Sequence, residues 1–290
     1  MNLIIRVLLL NMVFILSSFA GEIEVITDVV YGKGGDDELK LDIVKPKDKQ
    51  PQPMPAVVFM HGGGWSSAWG DKKSGISYLT LLAKRGYFGV TINYRTTPKD
   101  KFPAQIEDCK CAVRFLRAHS KEYNIDPDHI AAWGGSAGGH LASLLATAGE
   151  VKEFEGKGGW EGYSSKVQAA ISYSGVTDLY KWKTQNNPQN TIKRLIGGDT
   201  EEFRDAMSKA SPMTYISKNT PPFLIAHGDK DPDVSIKQSQ DFSEALKAVG
   251  VEVEFYTIKD GEHGQGGEYD SFYANQGQTV GDFLDKQFKK

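Results

Sequence analysis

Apolar residues after residue 20 fall into short runs separated by amphipathic stretches. Apolar runs of about four to eight residues are typical of strands buried on both faces, whereas longer periodic stretches indicate helices. The first two predicted strands, 22–31 and 38–44, flank a glycine-rich polar turn. Two strands joined by such a turn predict an antiparallel hairpin.

Strands and helices alternate beyond this hairpin. Six further strands are predicted at 56–60, 87–94, 130–133, 167–173, 222–226 and 251–258. Helices are predicted at 74–85, 102–123, 140–148, 235–249 and 270–288. Buried strands that alternate with helices predict an α/β fold: an eight-stranded, mostly parallel sheet with helices on both faces.

Two segments interrupt the alternation. Residues 150–165 are polar and glycine-rich, and residues 177–220 are long and irregular in pattern. Long excursions in a compact domain usually serve as lids or binding loops, so we expect both to cover a functional site. No linker divides 21–290, which we interpret as one domain.

Residues 1–20 combine Arg6, an apolar run and a small-x-small sequence that ends at Ala20. This layout predicts a signal peptide cleaved after Ala20, and hence an exported protein, periplasmic or secreted. The alternative is a membrane anchor, but Asn11 interrupts the run, which is shorter than the roughly 18–20 apolar residues that a span requires. We expect no membrane insertion after cleavage.

The charge and the cysteine content limit the kinds of ligand and partner that the protein is expected to bind. A net charge of −3 gives no electrostatic case for binding nucleic acid. Cys109 and Cys111 lie two positions apart in a predicted helix, about 200° around its axis, and indicate packing rather than a disulfide. A Cys-x-Cys pair alone is a poor metal site, and Pro232 breaks a calcium-like run of aspartates, so we expect no metal. The oligomeric state is not determined by the sequence.

Residues 134–138 form a Gly-x-Ser-x-Gly motif between a predicted strand and a predicted helix. In that context the chain turns sharply, and small residues at Gly134 and Gly138 let strand and helix approach each other. The turn exposes Ser136, which we predict to be a nucleophile. The alternative is a helix start capped by Ser136.

A serine hydroxyl becomes an effective nucleophile only when an adjacent base takes its proton. In folds of this kind the order along the chain is nucleophile, acid, histidine, and only His263 follows both the motif and an acid placed after a strand. Asp229, Asp231 and Asp233 compete for the acid, which would orient the imidazole and stabilise its protonated form.

Glycines at 62–64 follow the strand at 56–60. Ester hydrolysis develops negative charge on the carbonyl oxygen, and backbone amides must already point at that oxygen. We predict that the amides of Gly63, Gly64 and Ala137 form this oxyanion hole.

With these motifs the chain resembles the hormone-sensitive-lipase-like esterases, and most of all their carbohydrate-esterase branch, which includes acetylxylan and feruloyl esterases. The matching motifs are His61-Gly62-Gly63-Gly64-Trp65, Asn93-Tyr94-Arg95, Phe102-Pro103-Ala104 with Asp108, Gly135-Ser136-Ala137-Gly138-Gly139-His140, Ser174-Gly175 with Asp178, His227-Gly228 with Asp231, and His263-Gly264. The resemblance implies Ser136, Asp231 and His263 as the catalytic residues, and no cofactor. Gly135, Asn93 and Ser235 depart from the lipase-like pattern, which weakens any inference of a lipid substrate.

The segment before His61 leaves no room for the helical cap of many lipase-like relatives, so we expect an open site. Nearby aromatic residues, chiefly Trp65 and Trp160, would contact a carbohydrate, with ordinary packing as their alternative role. The expected function is a secreted serine carboxylesterase that removes acetyl or feruloyl groups from plant polysaccharide such as xylan through an acyl-enzyme intermediate. The alternatives are a serine exopeptidase, a general short-chain carboxylesterase or lipase, and a catalytically inactive binding module.

Overall fold

The computed structural model describes residues 22–186, 189–198 and 200–289, except the side chains of 184–186 and 189. The predicted signal peptide, 1–20, lies outside the described residues. No helix in the described ranges is long and apolar enough to span a bilayer.

The strands form one sheet in the order β1-β2-β4-β3-β5-β6-β7-β8. Their bounds are β1 Ile23–Gly34, β2 Asp37–Pro46, β3 Met54–Met60, β4 Phe88–Ile92, β5 Ile125–Gly135, β6 Ala169–Tyr173, β7 Phe223–Gly228 and β8 Val253–Ile258. Strand β2 runs antiparallel to both of its neighbours, β1 and β4, and the other pairings are parallel. The predicted eight-stranded, mostly parallel sheet is confirmed.

Helices cover both faces of this sheet. Their bounds are α1 Ile76–Ala83, α2 Ala104–Ala118, α3 Ser120–Tyr123, α4 Ala137–Thr147, α5 Leu179–Asn186, α6 Gln189–Ile196, α7 Arg204–Lys209, α8 Lys237–Ala248 and α9 Tyr269–Phe288. One apolar cluster packs α1 and α9 against one face, and a second packs α2, α4 and α8 against the other. Every residue of β4, β6 and β7 is buried, which explains why these strands are continuous apolar runs rather than alternating ones.

The segment 177–220 is more regular than its sequence pattern indicates. It contains α5, α6 and α7, whose apolar residues, among them Ile192, Leu195 and Met207, are buried in the core. These helices have six to eight residues each, so their periodicity extends over too few turns to be recognised.

A buried ion pair connects the loop after β4 to helix α2. Arg95 Nη2 donates to Asp108 Oδ1 at 2.7 Å and to Glu107 Oε2 at 2.8 Å, and the Arg95 amide donates to Asp108 Oδ2 at 2.7 Å. Asp108 is 1% exposed, and burial raises its pKa to about 6 even beside the guanidinium. The carboxylate therefore depends on Arg95 for its charge.

Replacing Arg95 with Met should lower the free energy of unfolding by about 3–5 kcal/mol, because it leaves the Asp108 carboxylate buried without a cation. Urea denaturation measures the change. The matched control is Arg204→Met, which breaks the exposed pair with Glu201 and should have a far smaller effect. Equal losses in the two variants would contradict the role assigned to Arg95.

Candidate active site

Ser136 stands at the turn between β5 and α4. Its backbone has φ 55° and ψ −120°, a conformation that non-glycine residues rarely adopt. Hydrogen bonds hold the turn in place: the Ser136 amide donates to Tyr173 O at 2.7 Å, and Ser136 O accepts from the His140 amide at 2.9 Å. Strain of this kind persists only where the surroundings enforce it, and here the strained turn places Ser136 in the wall of a cavity that His263 also lines.

Two glycines make this turn possible. A Cβ at Gly138 would lie 2.0 Å from the carbonyl oxygen of Met60, and a Cβ at Gly134 would lie 2.4 Å from the carbonyl of Gly138. Both contacts are with backbone, which cannot move aside as a side chain can. The motif glycines therefore allow the predicted close approach of β5 and α4, and Gly138 also lets α4 pack on the end of β3.

Ser136, His263 and Asp231 lie in a continuous line of hydrogen bonds. His263 Nε2 is 2.8 Å from Ser136 Oγ, and His263 Nδ1 is 2.7 Å from Asp231 Oδ2. Asp231 is ionised, so Nδ1 carries the proton that it donates to the carboxylate, and Nε2 accepts from the hydroxyl of Ser136. The structure thus brings together the three residues predicted from the sequence.

The Asp231 side chain is buried and fully engaged. Its Oδ1 accepts from the amides of Asp233 and Val234 at 2.9 and 2.8 Å, and His227 Nε2 lies 3.3 Å from Oδ2. Burial alone would raise the pKa of Asp231, but the bonds with His227, His263 and Val234 hold it well below its ordinary value. Asp229 and Asp233, the competing acids, are exposed.

The loops after β7 and β8 are packed against each other, which sets the distance between acid and histidine. The Lys230 amide donates to Gly261 O at 2.9 Å, and a Cβ at Gly228 would lie 2.3 Å from that same oxygen. The contact fixes the Asp231 loop against the His263 loop. His263 itself is desolvated, which lowers its pKa, but the Asp231 carboxylate outweighs burial and raises the pKa above its ordinary value.

The predicted oxyanion residues lie on the same side of Ser136. Gly63, Gly64 and Ala137 all line one cavity with Ser136 and His263. Gly63 and Gly64 have φ values of 100° and 59°, which turn the loop after β3 back toward the serine. Among the hydrogen bonds between described residues, these three amides donate to no protein acceptor. They are free to meet a substrate oxygen.

This main cavity has a volume of about 530 Å³. Helices α5 and α6 supply Trp182 and Thr191 to its wall, so part of the segment 177–220 does cover the site. Trp182 is buried and donates from Nε1 to Asp233 O at 2.8 Å. Trp69, at the mouth, was not among the predicted binding residues, although it stands only five positions after Gly64.

A second cavity, of about 220 Å³, reaches Ser136 and His263 from another side. Aromatic rings make up much of its wall; they are Phe59, Tyr78, Tyr173, Tyr269 and Tyr273. A reacting group at Ser136 therefore has two cavities beside it, a larger one of about 530 Å³ and a smaller one of about 220 Å³.

Trp65 lines the main cavity, where its ring packs against His140 and Trp182. It is 1% exposed, and its Nε1 donates to His140 Nδ1 at 3.1 Å. His140 in turn donates from Nε2 to Ala210 O at 2.7 Å, and burial lowers its pKa to about 4, so it remains neutral. Trp65 therefore forms a rigid part of the wall of the main cavity, and its only polar side-chain atom, Nε1, is already hydrogen-bonded to His140.

Trp160 lies away from the site, and its predicted role in substrate binding is wrong. Its Nε1 donates to Tyr31 O at 2.8 Å, and its ring packs on Phe115 and His119. The surrounding segment is bound to β1 as well, since the Gly158 carbonyl accepts from the Lys33 amide at 2.9 Å. The expectation that 150–165 covers the site is therefore also wrong: this segment packs on β1 and α2.

A model of the BD-FAE family matches residues 41–246, which is more than half of the chain and includes Ser136 and Asp231. The chain belongs to the BD-FAE family. Esterase LipQ from Mycobacterium tuberculosis is 34% identical over 227 residues, which cover 77% of this chain and 53% of that protein. The chain spans about half the length of the curated relatives it matches.

Solved structures also resemble this member of the BD-FAE family. A truncated carbohydrate esterase from gut microbiota superposes with a TM-score of 0.83 at 29% identity, covering 92% of this chain and 97% of that one. Esterase 2 of Thermogutta terrifontis with butyrate bound superposes with a TM-score of 0.75 at 28% identity, covering 93% and 95%. These similarities identify the fold as that of α/β-hydrolase esterases.

The remaining candidates for chemistry in this BD-FAE protein are either buried or hydrogen-bonded outside the two cavities at Ser136. Cys109 and Cys111 are both buried and unbridged. His119 Nδ1 bonds to Phe115 O, and His129 Nδ1 bonds to Asp126. No cluster of three or more metal-binding side chains occurs within the described part of the chain.

A base at His263 must be neutral to accept a proton, so kcat/KM for an ester should fall as the pH drops through its pKa. Because that pKa is raised, we expect the midpoint of this acidic limb above 6.5, the ordinary value. Asp231→Asn should lower kcat by about 10⁴ and move the midpoint to lower pH, since the neutral amide no longer stabilises the imidazolium. The pH dependence of kcat/KM measures both effects.

Asp233→Asn is the matched control, two residues away and exposed. On a small ester that carries no sugar, it should cost far less rate and shift the midpoint less, because Asp233 raises the pKa of His263 only through space. A larger loss in Asp233→Asn than in Asp231→Asn would transfer the role of acid to Asp233.

Proposed function

We propose that this protein is a serine carboxylesterase that hydrolyses acyl esters through an acyl-enzyme intermediate. The observation that carries the proposal is the line of hydrogen bonds Ser136–His263–Asp231, which ends at a cavity lined by three unengaged amides. That arrangement provides a nucleophile, its base and a site for a developing negative charge.

In the first half of the proposed reaction, Ser136 Oγ attacks the carbonyl carbon of the ester while His263 Nε2 takes the hydroxyl proton. The carbonyl oxygen becomes negative and accepts hydrogen bonds from the amides of Gly63, Gly64 and Ala137. The ester C–O bond then breaks, and His263 gives its proton to the departing alcohol. Asp231 stabilises the imidazolium while it carries that proton.

In the second half, water replaces the alcohol beside the acyl group on Ser136. His263 takes a proton from the water as its oxygen attacks the acyl carbon, and the same amides again hold the negative oxygen. The bond to Ser136 Oγ breaks, Oγ recovers the proton from His263, and the free acid leaves. The enzyme returns to its starting protonation state.

For the substrate, we propose acetyl or feruloyl esters of plant polysaccharide such as xylan. Support comes from the carbohydrate esterase among the similar structures and from the butyrate in the Thermogutta terrifontis structure. The two cavities at Ser136 suit an ester whose two parts differ in polarity. The narrow, aromatic cavity suits the acyl group, and the larger one suits the sugar alcohol.

Export is a further part of the proposal. It rests on the layout of residues 1–20, whose apolar run and small residues before Ala20 are typical of a signal peptide. An extracellular or periplasmic location would bring the enzyme to polysaccharide.

Ser136→Ala should abolish the hydrolysis of p-nitrophenyl acetate, because no other hydroxyl occupies the position beside His263 Nε2 among the described residues. Circular dichroism should show an intact fold, since alanine removes only one partly buried hydroxyl at the wall of a cavity. Labelling with a serine-reactive phosphonate, read by mass spectrometry, should modify the wild type at Ser136 and leave the variant unmodified. Wild-type rates in the variant would refute the assignment of the nucleophile.

The acyl preference is tested with p-nitrophenyl esters of increasing chain length, methyl ferulate and acetylated xylan. We expect kcat/KM to fall for long linear acyl chains, because the second cavity of about 220 Å³ is narrow and walled by rings. A preference for long chains would replace the carbohydrate proposal with a lipase. Activity on small acetate esters without any on xylan would leave a general short-chain carboxylesterase.

A further inference from the structure

Trp69 is the most exposed of the large apolar residues that line the main cavity. It is 69% exposed, whereas Trp65 and Trp182 in the same wall are buried. Exposing the apolar face of an indole to water is unfavourable. A ring exposed at the mouth of a cavity therefore offers a flat apolar surface to a ligand. Trp69 is therefore a candidate contact for the part of the substrate that remains outside the cavity.

The position of Trp69 is fixed relative to the predicted oxyanion hole. Its backbone packs on Gly63, where a Cβ would lie 2.9 Å from the Trp69 carbonyl carbon. Its ring passes beside Gly64, where a Cβ would lie 3.9 Å from Trp69 Cζ3. A group stacked on this ring would hold its attached ester next to the amides that receive the carbonyl oxygen.

The charge around Trp69 limits what can stack there. The guanidinium of Arg194 lies over the ring, 5.6 Å from its centroid, and donates from Nη2 to Thr191 Oγ1 at 3.3 Å. Arg194 thus already makes the cation–π interaction with the Trp69 ring, and its positive charge would repel a second cation. The surface favours a neutral apolar face over an ammonium group.

Asp233 adds hydrogen-bond acceptors at the same cavity. Its carboxylate is exposed, while its amide donates to Asp231 Oδ1 and its carbonyl accepts from Trp182 Nε1. These backbone bonds hold the residue in place, and no hydrogen bond to its carboxylate is formed within the described part of the chain. A carboxylate accepts from hydroxyl groups, which a fatty acyl chain lacks and a sugar carries on every ring.

We propose that Trp69 and Asp233 form the sugar subsite of this enzyme, in which a neutral pyranose stacks on the indole and donates hydroxyl hydrogen bonds to the carboxylate. The subsite rests on the proposed esterase function, since it places a sugar ester at Ser136. It deepens that function by assigning the recognition of carbohydrate to two residues outside the hydrogen-bonded line. Both are positioning residues for the leaving alcohol.

The test compares an acetylated xylo-oligosaccharide with p-nitrophenyl acetate, which has no sugar. In Trp69→Ala the ratio of kcat/KM for the sugar ester to that for p-nitrophenyl acetate should fall about tenfold, mainly through KM. Trp69→Phe should recover most of the ratio, and Asp233→Asn should lower it several-fold. Tyr163→Ala is the control, because Tyr163 is a similarly exposed ring (47%) that lies outside both cavities at Ser136.

An unchanged ratio in Trp69→Ala would overturn the subsite. A parallel loss on both substrates would also overturn it, because it would mean that Trp69 only supports the loop at Gly63. A wild type that cleaves p-nitrophenyl acetate but not the sugar ester would refute the subsite and leave the esterase standing. A wild type that cleaves neither would refute the esterase itself.

Binding separates the two proposals further. Calorimetric titration of the acetylated xylo-oligosaccharide into Ser136→Ala measures affinity without turnover. We expect measurable binding that weakens about tenfold when Trp69→Ala is added and is unchanged when Tyr163→Ala is added. Binding that does not respond to Trp69→Ala would overturn the subsite whatever the catalytic outcome.

Discussion

Helix α4 lies so close to the carboxyl end of β3 that a side chain at residue 138 would overlap the carbonyl oxygen of Met60. That contact forces the chain to turn within a single residue between β5 and α4, and Ser136 takes the strained conformation that results. The strands around it resist relaxation of the turn, because the ends of β3 and β5 nearest to Ser136 and all of β6 are packed between two layers of helices. The reactive hydroxyl stays at the cavity wall beside His263 because the core beneath it is not free to move.

The same sheet edge gathers the other parts of the site. Strands β3, β5, β7 and β8 are parallel, so the loops that carry Gly63, Ser136, Asp231 and His263 all leave at one edge. Packing between the β7 and β8 loops then sets the acid–histidine distance, and burial makes the Asp231 carboxylate effective because little solvent screens it. A rigid scaffold thus holds groups that are far apart in sequence at hydrogen-bond distance.

Beside this rigid centre, the walls of the site differ in how they are built. Trp65 and Trp182 are buried, and the indole N–H of each donates a hydrogen bond to a protein acceptor. These two residues therefore shape the cavity. Trp69 is open to solvent and steadied by Arg194 over its ring. The three tryptophans of this cavity therefore divide into two buried rings that shape its wall and one that faces solvent.

Sequence patterns were sufficient to predict the sheet, the nucleophile motif and the order of the candidate residues along the chain. Buried apolar runs indicate strands directly. The steric requirement for small residues at Gly134 and Gly138 is local to the turn, so both features can be recognised from the sequence. The sequence left Asp229, Asp231 and Asp233 as competitors, because the choice among them depends on which carboxylate the β8 loop meets. It misplaced Trp160 and residues 150–165, and it missed Trp69, since an aromatic residue looks the same in sequence whether it packs on β1 or lines a cavity. These assignments required the folded protein, because burial and distance between loops arise when separate elements pack together, and no single stretch of chain carries that information.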